Sequence, residues 1–149
     1  MKLIQDQLDQ LFQTVSYIRN VKRPKEGWIR TIRMAIGMSA VQLAKRLNIT
    51  RQSMAEIEKR EADGSITLNT LRTVADAMEM EVHYVLIPKK GTLEKLINDR
   101  VNELAKEIVI RTSQSMKLED QENEAERLKN AIKERAEQIK AESLKNIWN

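Results

Sequence analysis

Apolar residues recur along much of this chain at alternating intervals of three and four, which is the period of an amphipathic helix. The first such stripe consists of Ile4, Leu8, Leu11, Val15 and Ile18. It predicts an N-terminal amphipathic helix over residues 1–19. The helix packs either on the rest of its own chain or against a second copy as a short coiled-coil seam, and two heptads leave both alternatives open.

Residues 39–58 divide into two short helices joined by a tight turn. Ser39, followed three residues later by Gln42, has the pattern of a capping box at the start of the first helix. Thr50 is placed to cap the second helix, where Met54 and Ile57 share one face. Two short helices separated by so few residues must cross steeply, so the pattern predicts a helix-turn-helix.

Two more helices and one strand complete a predicted globule over residues 20–88. Residues 28–36 form an apolar helix face that ends at Gly37, and Thr67 is placed to cap a helix over the following ten or so residues. The alternation EVHYVLIP then predicts a strand over residues 81–88. Because the chain offers no second strand of similar strength, we predict that this strand pairs with its copy in a homodimer, about a twofold axis.

The last predicted segment, residues 89–149, is a C-terminal helical extension made of two helices. Its first apolar stripe contains Leu93, Ile97, Val101, Leu104 and Ile108. The second helix is crowded with charges and has a thin apolar face, so on its own it is predicted to be marginally stable. Two alternatives remain: it becomes ordered against a partner, or it lies as a solvated helix along the dimer.

Composition excludes several classes of function. The chain has no cysteine and one histidine, His83, so we expect no metal site, and no cofactor motif is present. Its carboxylates lie on solvated helices without a nucleophile–base set, so we do not expect an enzyme. No apolar run is long enough to span a membrane, and the N-terminus does not resemble a signal peptide. The expected location is the cytoplasm, in association with the nucleoid.

The net charge of +4 is modest, but its distribution is uneven. Residues 19–60 hold eleven Lys and Arg against three Asp and Glu, while residues 91–149 hold eleven against twelve. The basic excess therefore surrounds the predicted helix-turn-helix. The outer face of its second helix carries side chains with distinct partners on base edges in the major groove, namely Arg51, Gln52, Ala55, Glu56 and Lys59. Charge and side-chain chemistry together indicate DNA binding.

Residues 39–58, with a polar cap, Leu43-Ala44, Ile49-Thr50, Arg51-Gln52-Ser53 and a closing Glu58, resemble the lambda-repressor-like (Xre/Cro) helix-turn-helix family. The resemblance implies a mainly α fold, a helix-turn-helix globule of four or five helices, to which the sequence pattern adds one short β-strand and helical extensions at both ends. More narrowly, DQLDQLF, PKEGWIRTIRMAIGMS, GSITLNTLRTVADAM, VHYVLIP and SMKLEDQ resemble the mobile mystery protein A family, up to residue 121.

The Xre/Cro resemblance implies roles for individual residues. It makes Thr50 a phosphate contact, and the complete predicted DNA-binding set is Thr50, Arg51, Gln52, Ser53, Glu56 and Lys59. It also implies a structural ion pair between Arg33 and Glu58. One position departs from the pattern, because Ala40 stands where related repressors often have a glutamine that contacts phosphate.

The narrower resemblance implies a small regulator encoded beside a partner with a Fic domain, an AMP-transferring fold. We therefore expect a sequence-specific repressor that binds an inverted-repeat operator in double-stranded DNA and autoregulates such an operon. The alternative is an antitoxin that inhibits a Fic-domain toxin through its C-terminal helices. Ser115 and Glu119 nearly match the inhibitory motif of Fic regulators, although Ser115 capping the last helix, with Glu119 in its first turn, explains the same residues.

Overall fold

The computed structural model of the chain describes residues 1–113 and 121–149, with side chains described for residues 1–113 and 124–149. As predicted, the chain is mainly helical. Its helices are, in order, α1 (Lys2–Thr14), α2 (Trp28–Ala35), α3 (Ala40–Arg46), α4 (Arg51–Asp63), α5 (Leu68–Ala77), α6 (Leu93–Ser113) and α7 (Gln121–Glu142), with short 3-10 helices at Ser16–Asn20 and Leu144–Trp148. None of the described helices is long and apolar enough to cross a bilayer.

The chain folds as two compact units. One unit is Tyr17–Leu86, and the other combines Met1–Ser16 with Ile87–Asn149. The segments predicted as N-terminal and C-terminal extensions thus belong largely to one unit.

The unit of residues 17–86 is built around one apolar core. Each of its four α-helices contributes to a set of buried side chains, which are Ile29, Leu43, Ala44, Met54, Val74 and Met78. The helix starts follow the predicted capping chemistry. Ser39 Oγ accepts from Gln42 N at 3.1 Å while Ser39 N donates to Gln42 Oε1 at 2.7 Å, and Thr67 Oγ1 accepts from Thr70 N at 3.1 Å. Local sequence therefore determines where these helices begin.

The strand predicted over residues 81–88 is wrong for the single chain. The structure has no strand among its described residues, and residues 81–87 make no backbone hydrogen bond with any of them. A strand is defined by ladder hydrogen bonds to a neighbouring strand, and the described part of the chain supplies none. Side-chain exposure still alternates from residue 84 to residue 87. Tyr84 and Leu86 are 62% and 82% exposed, while Val85 and Ile87 are half-buried.

The second unit has its own core, formed where α6 and α7 pack together and the final 3-10 helix closes the end. Its buried side chains are Val101, Ala105, Ala136, Ile139 and Ile147. Arg100 Nε donates to the carbonyl of Ile147 at 2.6 Å and fixes the chain end. The last helix therefore buries its thin apolar face against α6 within the same chain.

Helix α1 packs against α6 through its more polar side. Asp9 accepts from the backbone N–H groups of Leu93 at 2.7 Å and Glu94 at 3.4 Å, so it caps the start of α6. Gln5, Asp9 and Phe12 are half-buried. The sequence left open whether α1 packs on its own chain or against a second copy. The side with Asp9 packs on its own chain, whereas most of the apolar stripe remains exposed.

Candidate nucleic-acid interface

The turn between α3 and α4 sets the crossing of the two helices. Asn48 adopts a left-handed backbone conformation with φ of 55°, which asparagine tolerates better than most residues. Ile49 N then donates to the Ala44 carbonyl at 3.0 Å, which closes the end of α3. Ala44 is buried, so the helices approach over a small side chain.

The structure brings the predicted DNA-binding residues together along one side of α4. Met54 is fully buried on the opposite side and anchors the helix in the core. The outward-facing residues are all exposed, namely Thr50, Arg51, Gln52, Ser53, Glu56 and Lys59. This arrangement presents a guanidinium, an amide, a carboxylate and an ammonium group from a single exposed helix face, which is the side-chain chemistry of a major-groove reader.

Thr50 and Ser53 are engaged in starting the helix. Thr50 Oγ1 accepts from Ser53 N at 3.0 Å, and the two hydroxyl oxygens lie 2.9 Å apart in a second hydrogen bond. The first-turn N–H groups of α4 and these hydroxyls are therefore held at one exposed helix start. Such a start suits an anionic oxygen of a nucleic-acid backbone.

Glu56 is paired with a residue that the sequence analysis did not single out. Arg60 Nη2 lies 3.0 Å from Glu56 Oε1, one helical turn along α4, and both side chains are more than half exposed. An exposed pair of this spacing contributes only roughly 0.3–0.5 kcal/mol. The pair can therefore open at little cost, which leaves both side chains available to other partners.

The C-terminal end of α4 adds a local charge feature. Hydrogen bonds from the Ser65 hydroxyl and N–H, together with the charges of Lys59 and Arg60, hold the pKa of Asp63 below its ordinary value. Gly64 follows in the left-handed conformation, with φ of 85°, and ends the helix. The Asp63 carboxylate thus lies close to the basic end of the exposed face, and that basic surrounding favours its charged form.

Arg33 and Glu58 form a two-pronged ion pair behind this face. Arg33 Nε lies 2.6 Å from Glu58 Oε1, and Nη2 lies 3.3 Å from Oε2. The third nitrogen, Nη1, donates to the Met38 carbonyl at 2.9 Å. Both charged side chains are only 11% exposed, so the pair ties α2 to α4 away from water.

A second set of long-range hydrogen bonds, here called the Glu61 brace, joins the start of α2 to the end of α4 through residues that the sequence analysis missed. Glu61 is buried, and its Oε2 accepts from the N–H of Ile29 at 3.4 Å, which caps the start of α2. Arg23 donates to the carbonyls of Glu61 at 3.1 Å and Ala62 at 2.7 Å. These partners lie more than thirty positions apart, and no local pattern marks them. The brace holds the helix that carries Arg33.

Gly27→Ala is expected to destabilise this unit by roughly 1–3 kcal/mol, because Gly27 has a φ of +84°, which side chains rarely adopt. An added Cβ would also overlap the Glu61 carboxylate and force it out of its capping position. Urea unfolding measures the change. Gly37→Ala is the matched control, since Gly37 has a similar φ of +72° but open space around its Cβ position. If both variants lose the same free energy of unfolding, the overlap with Glu61 adds nothing to the cost of the unfavourable φ.

Two predicted positions, Ser115 and Glu119, lie outside the described residues. Among the side chains described, those of residues 1–113 and 124–149, no group of three or more His, Asp and Glu is arranged to hold a metal ion.

A protein-family comparison matches residues 29–85 to the helix-turn-helix family. The matched range contains Arg33, Glu58 and the whole exposed face of α4, and it excludes α1, α6 and α7. No curated protein and no solved structure matches the chain. With the geometry of α3 and α4, the match identifies residues 29–85 as an Xre/Cro-like helix-turn-helix domain, of the kind that DNA-binding transcription regulators carry.

Proposed function

We propose that this chain is a homodimeric, sequence-specific repressor that binds an inverted-repeat operator and acts in the cytoplasm at the nucleoid. The observation that carries the proposal is the exposed row on α4, whose opposite side is buried in the core of a helix-turn-helix domain. A rigid helix with side chains for both base edges and phosphates is what major-groove recognition requires.

Each exposed side chain takes a role that its chemistry allows. Arg51 bridges guanine O6 and N7, Gln52 pairs with adenine N6 and N7, and Glu56 accepts from cytosine N4. Thr50, Ser53 and the nearby amides hold a phosphate, with Lys59 adding positive charge further along the helix. Direct base contacts give sequence preference, while the surrounding basic residues give salt-dependent affinity.

The homodimer is proposed to form through residues 81–87. This segment leaves its backbone groups without a backbone partner among the described residues, and it exposes Tyr84 and Leu86. Arg72 lies 5.6 Å from the Tyr84 ring centroid, a cation–π contact that steadies the segment against α5. A second copy running antiparallel would complete a two-stranded ladder and place two recognition helices about a twofold axis.

Footprinting the full chain on the DNA upstream of its own gene tests the proposed function. The expected result is one protected region containing two inverted half-sites. A second reaction includes the neighbouring gene product, because the proposed operon encodes a Fic-type partner of the kind found with the mobile mystery protein A family. Absence of any protected site, at salt concentrations where nonspecific binding is suppressed, would contradict autoregulation.

Arg51→Ala is expected to reduce discrimination at one base position, with a cost of about 1–3 kcal/mol for the preferred sequence. Affinities for the operator and for single-base variants measure this loss. Arg127→Ala serves as the control, because it removes the same charge from an exposed position on α7, outside the domain. If all DNA sequences weaken equally, Arg51 contacts phosphate and the proposed base contact is wrong.

A second candidate function is an antitoxin that inhibits a Fic-domain toxin through the C-terminal helices. It is favoured by one observation: α6 and α7 form a separate packed core outside the matched domain, in a segment whose charges nearly balance. Measuring AMP transfer by the neighbouring Fic-domain protein, with and without this chain, tests it. Glu119→Ala addresses the inhibitory motif directly, and unchanged inhibition would reject the role of Glu119.

A further inference from the structure

Most of the apolar stripe of α1 is exposed in the folded chain. Ile4 and Leu11 are 59% and 53% exposed, and Met1, Leu3 and Leu8 are exposed as well. Such a row along a single helix is a contiguous apolar surface, which marks an interaction site more often than isolated exposed side chains do. The helix-turn-helix domain does not include these residues.

Contacts with α6 fix which way this stripe faces. Asp9 is held by the first N–H groups of α6, and Gln5 and Phe12 on the adjacent side are half-buried. The helix therefore cannot rotate to bury Ile4 and Leu11 without giving up the cap on α6. The packing of α1 on α6 therefore keeps the apolar stripe facing solvent.

The residues around the stripe favour a second copy of this chain as the occupant. Pairs of helices with different sequences usually select each other through opposite charges beside the apolar seam. The open flank here carries Gln7 and Thr14, which are uncharged, so identical helices meet without repulsion. A twofold pairing is self-complementary and needs only the one surface.

The charges of α1 disfavour a lipid surface. Helices that lie on membranes carry Lys and Arg on the polar face, attracted to anionic headgroups. Here the polar side carries Asp6 and Asp9 against the single Lys2. Neither an anionic membrane nor the DNA backbone matches this surface.

We propose that α1 is a self-association surface, in which the stripes of two chains pair about a twofold axis. This surface is additional to residues 81–87, so it would join two of the proposed homodimers into a tetramer. It goes beyond the DNA-binding role and stands without it, since no residue of the recognition face takes part.

The test is the mass of the full-length chain in sedimentation equilibrium over a range of concentrations. Wild type is compared with Ile4→Glu/Leu11→Glu and with the control Lys2→Gln/Gln13→Glu, which changes the net charge by the same amount at exposed positions away from the stripe. The stripe variant is expected to show an assembly about twofold smaller than wild type, and the control should keep the wild-type mass. The uncharged variant Ile4→Ser/Leu11→Ser should behave like the glutamate variant. Far-UV circular dichroism identifies any variant that fails to fold.

An unchanged mass in both stripe variants, or a monomeric wild type, overturns the proposal. Binding to phosphatidylglycerol vesicles that is lost in the stripe variants, with no change of mass, overturns it in favour of a membrane surface. Footprinting the same variants separates this result from the proposed function. A smaller assembly that still protects the operator supports the pairing of α1, whereas a wild-type chain that protects no operator counts only against repression.

Discussion

Glu58→Ala is expected to lower the free energy of unfolding of the unit of residues 17–86 by about 3–5 kcal/mol. The substitution leaves the Arg33 guanidinium held between α2 and α4 with its carboxylate partner gone. Water cannot replace both hydrogen bonds at a side chain that is 11% exposed. Since whole domains are stable by only about 5–15 kcal/mol, unfolding by urea or heat should change markedly.

Two controls separate the buried pair from a general effect of charge. Glu26→Ala breaks an exposed pair with Arg30 and should cost no more than about 1 kcal/mol. The double variant Arg33→Met/Glu58→Leu removes both charges and should regain most of the lost stability. If Glu58→Ala matches Glu26→Ala, the ion pair does not hold the helices together.

Local features of this fold are predictable from the sequence, whereas its long-range braces are not. The starts of α3, α4 and α5 follow from Ser39, Thr50 and Thr67, since a cap and its N–H partner lie only three positions apart. Arg33 and Glu58 are twenty-five positions apart, and only the family resemblance paired them. Glu61 had neither a local pattern nor a family motif to mark it.

The packing of α1 and α7, which lie outside the helix-turn-helix domain, was harder to predict from the sequence than their existence. Periodicity located α1 and α7, but it did not specify their packing. α7 packs on α6 through Ala136 and Ile139, and α1 uses Asp9 rather than its apolar stripe. Residues 81–87 show the same limit. The alternation of their apolar and polar side chains favours a strand, but residues 1–113 and 121–149 include no second strand to pair with it.

The positions of the exposed residues on α4 were predicted correctly from the helical period alone. Met54 lies on the inner side, which fixes Arg51 and Gln52 on the outer side of the same turn. Hydrogen bonding on that surface was not predicted, because Arg60 reaches Glu56 through a flexible exposed side chain. Helical geometry thus determines which side chains of α4 are exposed. It does not determine which of these side chains pair with one another, because exposed ion pairs form and break with small changes in free energy.

Inserting about five base pairs between the half-sites of the operator is expected to weaken binding on the order of 10³-fold or more. A twofold dimer requires half-sites about 34–36 Å apart, or a multiple of that distance, on one side of the duplex. Half a helical turn moves the second site to the opposite side, so one recognition helix is left over nonspecific DNA. Affinities measured at one fixed salt concentration test this, since phosphate contacts alone change binding steeply with salt.

The control operator keeps the original spacing but has a different sequence between the half-sites, and it should bind like the original. Equal affinity for all spacings would mean that each chain reads its half-site alone, which rejects the homodimeric arrangement but retains base recognition by α4. If wild type and Arg127→Ala both lose affinity only for the operator with the insertion, the result supports two recognition helices held at a fixed distance. The exposed row from Arg51 to Lys59 would then be half of a twofold reading surface.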